Sequence, residues 1–123
     1  MFSRSCCLFF GVISKAELHQ VILKKEGGVL SLIDVREPSE TAATGTIPSS
    51  HMIPLGEVES ALRTLTATEF RQRYSFERPE EDDPIVFYCR SGRRSAQACS
   101  IAEKIGFTNI RNYEGSWLDW STN

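Results

Sequence analysis

The run Cys89-Arg90-Ser91-Gly92-Arg93-Arg94-Ser95 follows directly on the apolar stretch Ile85-Val86-Phe87-Tyr88. A thiol at the end of a buried strand therefore precedes a glycine-containing turn with three arginines, and a helix is expected to begin beyond it. The nucleophilic form of cysteine is the thiolate, and at an unperturbed pKa only about 3% of it is present at pH 7. Cations and a helix N-terminus lower that pKa, and a shift of roughly two units, about 2.7 kcal/mol, makes the sulfur mostly anionic. A strand-to-helix turn also tends to aim its successive N–H groups inward as an anion-binding nest. Gly92 permits the turn, and the forked donors of Arg90, Arg93 and Arg94 match an oxyanion. Cys89 is thus the predicted nucleophile, and Arg90, Ser91, Gly92, Arg93, Arg94 and Ser95 are the predicted binding loop for an anionic reactant.

Other chemistry-bearing residues take lesser parts. Asp34-Val35-Arg36 stands at the end of a second apolar run, and Asp34 and Arg36 are expected to pair and brace the cysteine loop. His51 lies near another strand end and His19 on a helix. A histidine base can activate a cysteine, but the loop already supplies activation, so neither is assigned a direct role. Cys99 falls roughly two to three turns further along the predicted helix and is expected as a small core residue. Cys6 and Cys7 are adjacent, and no CxxC spacing points to zinc or to a dithiol redox centre. No metal site is predicted.

The surroundings are those of one ordinary domain. A chain of 123 residues with 41% hydrophobic and 24% charged content suffices for a single core. A net charge of -2 argues against non-specific nucleic-acid binding, since the totals imply no broad basic face. The apolar stretch Leu8 to Ile13 is too short to span a bilayer. Met1 to Ala16 carries Arg4, Lys15 and several serines but no acidic residue, which resembles the head of a mitochondrial targeting segment. Residues 1–9 are expected to be an extension and 10–123 the domain. The compartment is expected to be intracellular, cytoplasmic or mitochondrial.

The rest alternates between strands and helices. Phe10 to Ile13 reads as a first strand, and the capping box Ser14-Lys15-Ala16-Glu17 opens a helix with Leu18, Val21 and Ile22 on its apolar side. Gly27-Gly28 stops it, and Val29 to Val35 reads as a buried strand. Pro38 starts a short helix to about Ala43, closed by Gly45, and His51-Met52-Ile53 is a short strand. Helices follow over 57–62 and after the capping box Thr66-Ala67-Thr68-Glu69, whereas Glu80 to Pro84 is a solvated turn. Beyond the strand 85–88, a helix runs from about Arg94 to Ile105 and stops at Gly106. Asn109 to Asn112 is the last strand, and Ser116 is expected to cap a terminal helix with Asp119 in the capping-box position. This alternation predicts an α/β domain with a mostly parallel sheet and a ligand crevice at the carboxyl ends of its strands.

Four segments in order resemble the single-domain rhodanese (thiosulfate sulfurtransferase) family. They are Leu32 to Pro38, Gly45-Thr46-Ile47-Pro48 through Ile53-Pro54, the Cys89 loop, and Asn112-Tyr113-Glu114-Gly115-Ser116-Trp117. The resemblance runs from about Val12 to Trp120. It implies a five-stranded, mostly parallel sheet with helices on both faces and a cysteine loop that cradles the reacting sulfur. It further implies transfer of a sulfane sulfur from thiosulfate or a persulfide donor, through a Cys89 persulfide, to cyanide or a thiol such as glutathione or thioredoxin. No cofactor is needed, and a monomer is expected. The chain departs from the family where Thr46-Ile47-Pro48-Ser49-Ser50 replaces a common His-Ile-Pro-Gly-Ala, where Thr41 replaces a common aromatic, and where Gly115-Ser116 replaces a common Gly-Gly. The first and third are not expected to touch the chemistry, whereas the Thr41 departure bears on the packing of its short helix. The rival chemistries are those of cysteine phosphatases and arsenate reductases, which place one more residue between cysteine and arginine than the four separating Cys89 from Arg94. A non-catalytic binding module of the same fold is a second rival, disfavoured by the presence of the cysteine.

Overall fold

A computed structural model describes residues 10–24 and 30–122 of the chain. The expected extension 1–9, the Gly27-Gly28 stop and Val29 lie outside the described residues. Elements alternate along the chain as β1 (Gly11–Val12), α1 (Lys15–Lys24), β2 (Ser31–Asp34), α2 (Pro38–Thr44), β3 (Ser50–Met52) and α3 (Leu55–Arg63). They continue as α4 (Ala67–Tyr74), β4 (Ile85–Tyr88), α5 (Arg93–Ile105), β5 (Ile110–Asn112) and α6 (Ser116–Trp120). The five strands form one sheet in the order β1-β5-β4-β2-β3, and every pairing is parallel. The sheet is thus wholly rather than mostly parallel. Among the described residues no helix is long and apolar enough to cross a membrane.

Strand alternation divides the core in two, because successive side chains point to opposite faces. Ile33, Val35, Ile85 and Phe87 face one side with Cys89, packing against Val58, Ala61 and Leu62 of α3, Phe70 of α4, and Ala98, Cys99 and Ala102 of α5. Leu32, Val86 and Tyr88 face the other side with Leu18 of α1, Ile47 and Tyr113, and Trp117 and Trp120 of α6 pack against them. All four residues of β4 are buried, as a central parallel strand covered on both faces must be. Each fully buried large apolar side chain contributes about 1.5–3 kcal/mol toward this arrangement.

Local signals set most helix ends. The Glu17 N–H donates to Ser14 Oγ at 3.1 Å ahead of α1. Thr66 and Glu69 form a reciprocal capping box at α4, with bonds of 3.1 and 3.0 Å. Gly45 and Gly106, both at positive φ, close α2 and α5. Thr41, where an aromatic is common, donates to Pro38 O at 3.0 Å and lies 3.3 Å from Met52 Sδ. The expected role of Ser116 is not what is found. Gly115 is the residue preceding α6, and Ser116 Oγ bonds instead to the Cys89 N–H and the Tyr113 carbonyl. Asp119 likewise takes its side-chain bond from the Tyr113 hydroxyl, at 2.6 Å.

The register fixes where chemistry can happen. β2 and β4 are neighbours, with Asp34 opposite Tyr88, so Asp34 and Cys89 leave the sheet side by side at carboxyl ends. This is the edge at which open α/β sheets bind ligands.

Candidate active site

Cys89 is the first residue beyond β4, and its chain turns at once into α5 through Gly92. At φ +97°, Gly92 adopts a left-handed conformation that side-chain-bearing residues rarely occupy, and an added Cβ would lie 2.4 Å from the Glu114 carbonyl oxygen. Glycine is therefore required twice over, by the turn and by the close approach of the 113–116 segment.

The turn directs its donors at the sulfur. The Gly92 N–H points to Cys89 Sγ at 3.1 Å and the Ser95 N–H at 3.4 Å, while Ser95 Oγ lies 3.5 Å away. Burial pushes the thiol pKa up, since Cys89 is only 1% exposed. The Ser95 hydroxyl and the N–H groups of Ser95, Gly92 and Ser91 favour the thiolate more strongly, and the net direction is down. Neutral donors, rather than the arginines anticipated from composition, are the leading stabilisers. Arg90, Ser91 and Arg93 on the same loop are exposed, so a polar, cationic stretch of chain adjoins a covered sulfur.

The three arginines are not equivalent. Among the described residues no carboxylate pairs with Arg90 or Arg93. Arg94 forms a two-pronged ion pair with Glu40 of α2, at 2.7 and 2.9 Å. The Arg94 bond holds the Glu40 carboxyl well below the usual range, at about 2.

Asp34 and Arg36 pair as expected, wholly buried, with guanidinium-to-carboxylate bonds of 2.8–3.1 Å. What they brace differs from expectation. The remaining Arg36 donors reach Thr44 Oγ1 at 2.8 Å and the Gly45 carbonyl at 2.9 Å, so the pair clamps the end of α2 rather than the cysteine loop itself. Its guanidinium also lies over Trp117 of α6, 5.0 Å from the ring centroid.

Ser116 is the residue that sequence reasoning missed. Its hydroxyl accepts the Cys89 backbone N–H at 3.0 Å, donates to Tyr113 O at 2.8 Å and lies 3.9 Å from Sγ. It is fully buried and sits at φ +56°, a conformation suited to glycine. The Gly-to-Ser departure therefore does touch the site, contrary to expectation. Its signal was a side-chain-bearing residue in a slot that the family often gives to glycine.

The remaining candidates stand apart. His51 stacks flat on Phe76, ring centroids 3.9 Å apart, and burial lowers its pKa. His19 stacks on Trp120 at 4.6 Å. Cys99 is buried in the core, where burial pushes its thiol far up. Among the described residues no group of three or more His, Cys, Asp or Glu is arranged to hold a metal ion.

Comparisons with known proteins point to one family. The family model for the rhodanese-like domain matches residues 14–123. A fission yeast relative named putative thiosulfate sulfurtransferase, mitochondrial, is 50% identical over 73% of this chain, and the match spans 62% of that relative's length. A human thiosulfate:glutathione sulfurtransferase is 41% identical over 88% of this chain and 90% of its own. Among solved structures, the human single-domain sulfurtransferase TSTD1 superposes with a TM-score of 0.81 at 39% identity, covering 89% of this chain and 94% of that one. By family match, relatives and fold together, this chain belongs to the rhodanese-like domain family.

Proposed function

We propose that this chain is a thiosulfate sulfurtransferase that works through a persulfide on Cys89. The Cys89 thiolate attacks the sulfane sulfur of thiosulfate; a new S–S bond forms as the bond to the sulfonate sulfur breaks, and its electron pair departs with sulfite. An acceptor thiolate then attacks the outer sulfur, leaves carrying it as a persulfide, and returns Cys89 to the thiolate. The two half-reactions are covalent catalysis of the ping-pong kind. The observation that carries the reading is the convergence of the Gly92 and Ser95 N–H groups and the Ser95 hydroxyl on Sγ at 3.1–3.5 Å. The same donors stabilise the thiolate before transfer and again when it is regenerated.

Arg90 and Arg93 attract the donor dianion, and Ser91 and Gly92 supply backbone donors. Glutathione is the acceptor we favour, supported by the human relative's name. The name of the mitochondrial relative favours a mitochondrial location. The test is a thiosulfate:cyanide assay on two serine variants. Cys89→Ser should abolish transfer, while Cys99→Ser should keep most of it. Equal loss in both would contradict the assignment.

A further inference from the structure

Arg94 donates two bonds to one carboxylate, and that carboxylate is not a loose surface group. Glu40 Oε2 also accepts the Glu37 N–H, at 3.2 Å, in the first turn of α2. The other end of α2 is clamped through Thr44 and Gly45 to the buried Arg36–Asp34 pair. Glu40 is therefore presented to the cysteine loop by a helix anchored to the sheet edge. The Arg94 and Glu40 side chains are 32% and 30% exposed, so an approaching ion meets them as a pair in partial contact with water.

A guanidinium gripped by a carboxylate offers little net attraction to a further anion, because the two fields largely cancel beyond a few ångströms. A dianion arriving at the loop is thus drawn chiefly by Arg90 and Arg93. This bears on selectivity. Sulfate and phosphate carry charge and oxygens much as thiosulfate does, yet have no sulfane sulfur to give. A loop that gripped the oxyanion with three free arginines would be occupied by such ions. A loop with one arginine cancelled leaves discrimination to the donor cradle around Sγ.

We propose that Glu40 is a specificity-determining residue: by engaging Arg94 it weakens the loop's hold on oxyanions, so that the fit of a sulfane sulfur at Cys89, rather than oxyanion charge, selects the substrate. Glu40 acts through Arg94 and touches no reacting atom. The inference rests on the sulfurtransferase reading of the site, and its test includes an arm that needs no turnover.

The probe is inorganic sulfate protecting Cys89 of the full chain from iodoacetamide, followed by mass spectrometry of the Cys89 peptide. Glu40→Gln keeps the size and an accepting oxygen while removing the charge. Half-protection of this variant should need at least about threefold less sulfate than the unsubstituted chain, the scale of one freed charge near a protein surface. Its KM for thiosulfate should fall alongside, with kcat within about twofold. Removing the pair as a unit, in the double variant Glu40→Gln/Arg94→Gln, should return sulfate protection to within about twofold of the original, because a cancelled pair contributes little net charge. Unchanged or weaker protection in Glu40→Gln overturns the proposal. So does a marked loss of sulfate affinity in the double variant, which would mean that Arg94 grips the anion despite Glu40 and which is readable even if the single variant folds poorly. Failure of the chain to take sulfur from thiosulfate would sink the sulfurtransferase reading instead, and the sulfate arm keeps the two failures distinct.

Discussion

Four neutral donors, the Ser95 hydroxyl and the N–H groups of Ser95, Gly92 and Ser91, hold the Cys89 pKa down against a burial that pushes it up. Removing the strongest of them should therefore appear as a pH shift rather than a uniform loss. Ser95→Ala takes away a donor that favours the charged form, so the thiol pKa rises and the reactive fraction at pH 7 falls. Each unit of rise cuts transfer at pH 7 by up to about tenfold, and activity is largely restored above the new pKa. The pH profile of Cys89 alkylation checks this, and an unmoved profile would contradict it. Ser116 makes a second prediction through stability. Its hydroxyl accepts a buried backbone donor, but its φ of +56° strains a residue with a Cβ. Ser116→Ala keeps the strain and orphans the Cys89 N–H, costing about 1–3 kcal/mol, whereas Ser116→Gly relieves the strain and should be about 1 kcal/mol less damaging. Urea unfolding of the three proteins should rank serine above glycine above alanine. Cys89 was legible in the sequence because a thiol directly after an apolar run and before a glycine turn is a local pattern. Ser116 was not, since its bond to Cys89 spans 27 positions and exists only once β5 and α6 return to the loop.

At the scale of elements, the turn from β4 into α5 and the 113–116 segment work as one piece. Gly92→Ala tests that joint. Its Cβ would sit 2.4 Å from Glu114 O in a left-handed conformation, so both segments must shift. Combined backbone strain and overpacking predict a loss of about 2–4 kcal/mol and, because the Gly92 N–H is displaced from Sγ, a large fall in transfer. Thermal unfolding and a transfer assay check the two effects, and a variant that retains both stability and activity would show that the contact is dispensable. Most elements were readable from local chemistry. The capping box at Thr66 and the stop at Gly106 stand where the sequence indicated, and β4 matches 85–88. What escaped was the partnership between elements. The Asp34–Arg36 pair was expected, but not its grip on the end of α2, and nothing local in Glu40 announces that it faces Arg94 across 54 positions. Ser116 read as a helix cap for the same reason, since its type suits a cap and only packing diverts it.

At the scale of the whole molecule, the parallel sheet brings the ends of β2 and β4 together, with Cys89 immediately beyond β4. The alternation of strands and helices made this α/β plan legible, whereas the strand order, with β5 and β4 between β1 and β2, depends on crossovers that no single segment encodes. The plan also explains why, of the two buried cysteines among the described residues, one is suited to chemistry. Cys89 leaves the sheet where loop donors converge, and Cys99 lies in the packed core, where burial disfavours its thiolate. Mass spectrometry of the thiosulfate-treated protein shows whether a sulfur atom rests on Cys89 during the reaction. One added sulfur atom is expected, located on the Cys89 peptide, released by a reducing thiol and missing from Cys89→Ser. No added mass, or an added sulfur that persists in Cys89→Ser, would mean that Cys89 does not carry the transferred sulfur.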